Sequence, residues 1–108
     1  MCRAQLVELQ EVYPEIQSLN AELFALSMDD IYDTTTLSLA LDLDYSVLSD
    51  PDAYVTKKYG VFNLLGDGVA TPSVFIIDDN KTVVWSYIGD NISDRAELKD
   101  ILSNIPAN

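Results

Sequence analysis

Apolar residues recur at Leu6, Leu9, Tyr13 and Ile16, with Val12 and Leu19 alongside and Gln and Glu opposite. That spacing predicts an amphipathic helix over residues 2–20. Pro14 lies inside it and is expected to kink it, because the bond back to residue 10 is lost. A short apolar run, Leu23–Met28, reads as a buried strand, and Asp29 and Asp30 can cap the helix that follows. That helix, residues 30–43, is weakened by Thr34, Thr35 and Thr36, which are poor helix formers. Residues 45–51 form another short strand. Pro51 suits the first turn of a helix over 52–60, which Gly60 stops. Residues 61–72, with Gly66 and Gly68, read as a loop.

Residues 73–79 and 82–89 are rich in Val, Ile and aromatic residues, and Asp79, Asn80 and Lys81 make a turn between them. An antiparallel hairpin follows from this. At the end of the chain Leu98, Ile101, Leu102 and Ile105 fall at i, i+3, i+4 and i+7, a last helix with Asp94 or Ser93 as its cap. The order is helix–strand–helix–strand–helix–strand–strand–helix. Neither a repeat nor a low-complexity linker interrupts it, so residues 1–108 read as one α/β domain.

Charge narrows the function classes. Lys and Arg number 6 against 18 Asp and Glu, for a formal charge of −12. Such a surface repels phosphate backbones and anionic headgroups, which argues against nucleic acid and membrane partners. A solvated acidic coat is the simplest reading of the carboxylates. No apolar run reaches the roughly 18 residues of a membrane span, and nothing resembles a signal peptide, so a cytoplasmic location is expected. Histidine is absent. This removes Ser-His-Asp and Cys-His catalysis and the usual base near neutral pH. One Cys without His also excludes a closed structural zinc site, and no cofactor is implied.

The single cysteine, Cys2, is predicted at a helix start. There the unpaired N–H groups and the positive dipole end favour thiolate, and Arg3 adds a cation. The −12 background works the other way. Taken alone, a terminal cysteine reads as readily as an apolar filler.

A cysteine opening a Pro-containing helix, "SDP" before a short helix ending "YGV", then "TPSVFIIDDN" and a closing hairpin and helix, together resemble the thioredoxin-like redoxin group. Within it the chain is most similar to peroxiredoxin-like (AhpC/TSA) proteins, from Cys2 to Ile105. "CRAQLVELQ" and "TPSVFIIDD" are the specific parts, and "WSYIGDNISDR" resembles the close of that group. The resemblance implies a thioredoxin-like fold, a mixed sheet flanked by helices, with its N-terminal part truncated. It implies that Cys2 corresponds to the second cysteine of a C-x-x-C motif, or to the peroxidatic cysteine, with the residues before it missing. Arg3, Thr71 and Pro72 would bind substrate, and Thr71–Pro72 would be a cis bond lining the cleft. Peroxiredoxins place an arginine about where Pro72 stands, a departure that favours thiol–disulfide chemistry over peroxide reduction.

Two functions follow. One is an antioxidant or thiol–disulfide oxidoreductase acting on a hydroperoxide or a protein disulfide, with an external thiol as reductant. The other is a non-catalytic copy kept for packing or partner binding. The resemblance also implies a missing central strand between Leu23–Met28 and Ser73–Asp78. Its neighbours could close up and pair antiparallel, or a second copy could lend a strand. The second repair, a homodimer, is the one favoured.

Overall fold

The computed structural model describes residues 3–91 and 93–106. Its elements are α1 (Arg3–Ser18), β1 (Phe24–Ser27), α2 (Ile31–Ala40), β2 (Ser46–Ser49), α3 (Tyr54–Lys58), β3 (Ser73–Ile77), β4 (Val83–Ile88) and α4 (Leu98–Ser103). Their order is the one expected from the hydrophobic pattern.

α1 buries Leu6, Leu9, Tyr13 and Ile16, the four residues its periodicity singles out, and runs through Pro14 as continuous helix. Three helices end in the same way. Asn20, Asp42 and Gly60 each take a left-handed φ of 62°, 53° and 73° just past α1, α2 and α3. Each donates its N–H three residues back, to Gln17, Leu39 and Lys57, and the next residue donates five back, to Ile16, Ser38 and Thr56. These closures satisfy helix-end carbonyls that would otherwise lack partners.

The strands form two two-stranded sheets. β1 and β2 are parallel, with Phe24 opposite Ser46 and Ser27 opposite Ser49. β3 and β4 are antiparallel, from Ser73 opposite Ile88 to Ile77 opposite Val83, with an irregularity between Ile76 and Ile77. No ladder joins β1 to β3 among the described residues. The strands flanking the expected gap have therefore not closed up against each other. Both sheets nonetheless share one core. Ala25 and Val47 from the first, with Leu23 just before β1, and Val74, Trp85 and Tyr87 from the second, pack against Leu6, Leu9, Tyr13, Tyr45, Ala96 and Ile101.

Two local expectations are corrected. α3 begins at Tyr54 rather than in the turn holding Pro51. The Asp50 carboxylate accepts the N–H of Val55 and Thr56 and the Thr56 hydroxyl. That fixes the helix start three residues after Pro51. Ala53 bridges the distance at a left-handed φ of 57°, a conformation that costs a residue with a Cβ roughly 1–2 kcal/mol. α4 begins at Leu98, after Glu97, which makes no side-chain cap bond. The expected cap, Asp94, is engaged elsewhere: it accepts the Tyr87 hydroxyl and, at 2.8 Å, the Asp90 N–H. Ser93 is likewise outside the helix. Arg95 donates to the Asp94 backbone carbonyl at 3.5 Å.

Candidate functional site

The residues expected to carry chemistry come from two distant stretches, and the end of β1 links them. Arg3 opens α1 and lines a hollow with Asp29, Asp33, Thr36, Leu37 and Ala40. Asp29 is held just past β1. Its carboxylate accepts the Ser27 hydroxyl at 2.6 Å, and its carbonyl accepts the Ser49 hydroxyl at 2.6 Å. Met28 is its neighbour, and the Met28 Sδ accepts the Ala70 N–H at 3.1 Å. Ala70 immediately precedes Thr71 and Pro72. Arg3 thus borders Asp29 and the Thr71–Pro72 segment follows a residue bonded to Met28, with no hydrogen bond between Arg3 and that segment among the described residues. Cys2 lies outside the described residues.

Thr71 is 2% exposed, and its N–H donates to the Val61 carbonyl at 2.8 Å. Its carbonyl accepts the Ser73 hydroxyl at 3.0 Å. Its own Oγ1 is buried without a hydrogen-bond partner among the described residues. A buried hydroxyl costs about 1–3 kcal/mol unless a water or ligand reaches it. The Pro72 carbonyl accepts the Gly89 N–H at 2.8 Å, which fixes the start of the hairpin.

The cis Thr71–Pro72 bond expected from the resemblance is not present: no peptide bond among the described residues is cis. Trans is the favoured isomer of an X–Pro bond by about 0.5–1 kcal/mol. Here the chain enters β3 extended, with backbone bonds from Thr71 to Val61 and from Gly89 to Pro72 on either side of the linkage.

The site is short of cations. Arg3 shares its hollow with the carboxylates of Asp29 and Asp33. Beside the Ser49–Pro51 corner, Asp50 behaves differently from an ordinary buried acid. Burial alone raises its pKa, but hydrogen bonds from Thr56 and from the Val55 and Tyr54 amides outweigh it and hold the carboxyl below the usual range. Asp50 also donates its N–H to the Ser27 carbonyl at 2.6 Å, tying β2 to β1. Sequence reasoning passed over both Asp50 and Met28. An Asp directly before Pro51 is a helix-start signal, whereas nothing near Met28 announces a partner 42 residues away.

Among the described residues no cluster of three or more His, Cys, Asp or Glu side chains could hold a metal ion. No helix among them is long and apolar enough to cross a membrane.

Comparison with known proteins bears on this arrangement. The model of the AhpC/TSA family matches residues 1–86, a run that includes Cys2, Arg3, Thr71 and Pro72. A peroxiredoxin of Hyperthermus butylicus is 25% identical over 113 residues, covering 94% of this chain and 49% of that protein. Peroxiredoxin 2 of Picrophilus torridus is 29% identical over 97 residues, covering 79% of this chain and 45% of its own length. Among solved structures, Enterococcus faecalis AhpC superposes with a TM-score of 0.85 at 23% identity, covering 94% of this chain and 62% of that one. The mitochondrial 2-Cys peroxiredoxin of Plasmodium falciparum gives 0.82 at 21% identity. The fold is therefore the thioredoxin-like fold of these proteins, and the chain spans about half the length of the curated relatives it matches.

Proposed function

The chain belongs to the AhpC/TSA family, and from that premise we propose that it carries out peroxiredoxin-like antioxidant chemistry through Cys2. The observation that supports this is the family match itself, which spans Cys2, Thr71 and Pro72. Cys2 is the nucleophile. Its thiolate attacks a hydroperoxide oxygen, the O–O bond breaks, and the alkoxide leaves as the alcohol after taking a proton. The cysteine sulfenic acid then condenses with an external thiol, releasing water, and a second thiol returns Cys2 and forms the disulfide. One hydroperoxide and two thiols thus give one alcohol, one water and one disulfide, and no cofactor enters.

A protein disulfide is the alternative substrate, and Pro72, standing where a peroxiredoxin has arginine, favours it. Arg3 supplies a positive charge beside the nucleophile, and Thr71 and Pro72 shape the cleft wall. A thiol-driven cycle of this kind suits the cytoplasm. Because β1 and β3 have no ladder between them, a homodimer in which a second copy supplies a strand is part of the same reading, and light scattering after size exclusion tests it.

The decisive comparison is Cys2→Ser against the parent chain, assayed for hydroperoxide loss and for disulfide reduction with excess dithiothreitol. We expect the variant to fall to the buffer rate in both. Equal rates in parent and variant would leave the second reading, a family fold retained for packing or partner binding.

A further inference from the structure

Cations are scarce on this chain, and two of them border the same groove. Against 18 Asp and Glu the sequence has 6 Lys and Arg. Lys58 and Lys81 line a groove of about 650 Å³ whose other lining residues are Tyr59, Phe75, Ile77 and Val83. Val74 packs into the core, so its neighbour Phe75 and then Ile77 point to the opposite face of the hairpin. The end of α3 lies over that face, with the Tyr59 and Phe75 ring centroids 4.9 Å apart.

The floor is apolar and the rim is cationic. No carboxylate is among the lining residues. The nearest acid in sequence, Asp78, has its carboxylate turned to the N–H groups of Asn80 and Thr82, each at 2.9 Å. The Lys58 ammonium sits 4.7 Å from the centre of the Tyr54 ring rather than against an acid. The ion pair seen among the described residues joins Lys99 and Glu97, away from this groove.

We propose that this groove binds a small amphipathic carboxylate, its acyl chain on Tyr59, Phe75, Ile77 and Val83 and its charged head at Lys58 and Lys81. The apolar side chains between the two lysines give an acyl chain a surface to lie on while its head meets the cations. The remaining acidic surface repels an anion and leaves this rim as its landing point. A bare polyanion would make no use of the floor.

Octanoate is a suitable probe, with 1-octanol and octylammonium as controls, followed by amide chemical shifts of the intact chain. Octanoate should move amides near residues 58–59, 75–77 and 81–83, and bind roughly tenfold tighter than 1-octanol, the scale of two exposed ion pairs. Octylammonium should bind more weakly than either. The variant Lys58→Met/Lys81→Met should erase the preference for octanoate while keeping the affinity for 1-octanol and the parent melting temperature, since both lysines are exposed. Equal binding of octanoate and 1-octanol would overturn the proposal, as would a preference that survives in the variant. So would shifts at these amides that depend on protein concentration without ligand, which would assign the groove to a second copy.

Discussion

The two half-sheets solve the same problem by different means. β3 and β4 are joined by a short turn. The Asp78 N–H donates to the Thr82 carbonyl at 2.9 Å, and the Asp78 carboxylate collects the next two free amides. β1 and β2 are parallel and need α2 as their crossover, so their pairing depends on contacts made far along the chain. The outer faces differ too. Tyr59 covers Phe75 on the hairpin, whereas Phe24 on β1 is 62% exposed and stands beside the exposed Leu26 and Leu48. A hairpin is largely stabilised by its own turn and cross-strand pairs, while a parallel pair is only as stable as the side chains fixing its ends. In this chain those ends are fixed by Asp50 and Asp29.

Asp50→Ala should have the largest effect and fall on the parallel half. It removes the α3 cap and leaves the Thr56 hydroxyl and two amides without their acceptor, for a loss of about 2–4 kcal/mol. Hydrogen exchange should rise first in β1, β2 and α3. If β3 and β4 lose protection equally, the two halves open as one unit and the contrast between them fails.

Gly89→Ala is the matching lesion on the hairpin. A Cβ at Gly89 would stand 2.5 Å from the Asp94 carbonyl oxygen, closer than real Cβ contacts, so the backbone after β4 must move. A loss of about 1–3 kcal/mol is expected, with faster exchange confined to β3 and β4. An unchanged melting temperature would show that this corner is looser than its geometry implies.

Tyr45 belongs to neither half alone, since it sits in the shared core and donates to the Leu6 carbonyl at 2.7 Å. Burial pushes its pKa up to about 12. The unfolded chain releases this proton near pH 10 while the folded one keeps it, so its contribution is complete below pH 10 and is lost between about pH 10 and 12. Tyr13 and Tyr87 are raised in the same direction, first by their hydrogen bonds to Glu22 and Asp94. Tyr45→Phe should cost about 1 kcal/mol at neutral pH and flatten part of the alkaline loss. An identical alkaline melting profile in the variant would remove Tyr45 as its source.

Pro72→Ala should have the smallest effect. The bond before it is trans and its carbonyl still accepts from Gly89, so chiefly the restriction on the unfolded chain is lost, about 0.4–1 kcal/mol. A loss above 2 kcal/mol would show that the ring itself is needed where loop and hairpin meet.

The candidate site was legible from sequence only in part. Arg3, Thr71 and Pro72 could be picked out by resemblance, but their relation runs through Met28 and Asp29, which carry no local mark of that role. The acceptance of the Ala70 N–H by a thioether and the burial of the Thr71 hydroxyl are products of packing, and no periodicity encodes them.

Element order, the buried stripe of α1 and the β3–β4 hairpin follow from the sequence by itself. Each rests on residues a few positions apart, where helical spacing, strand alternation and turn chemistry act. Tertiary structure decided the rest. Asp50 set the start of α3 three residues past Pro51, and Tyr87 drew Asp94 away from the α4 cap. The approach to the hairpin kept Thr71–Pro72 trans, and the shared core around α1 left two half-sheets without a ladder between them. In each case a polar group or strand edge chose between partners distant in the chain, and only the folded chain sets which partner is within reach.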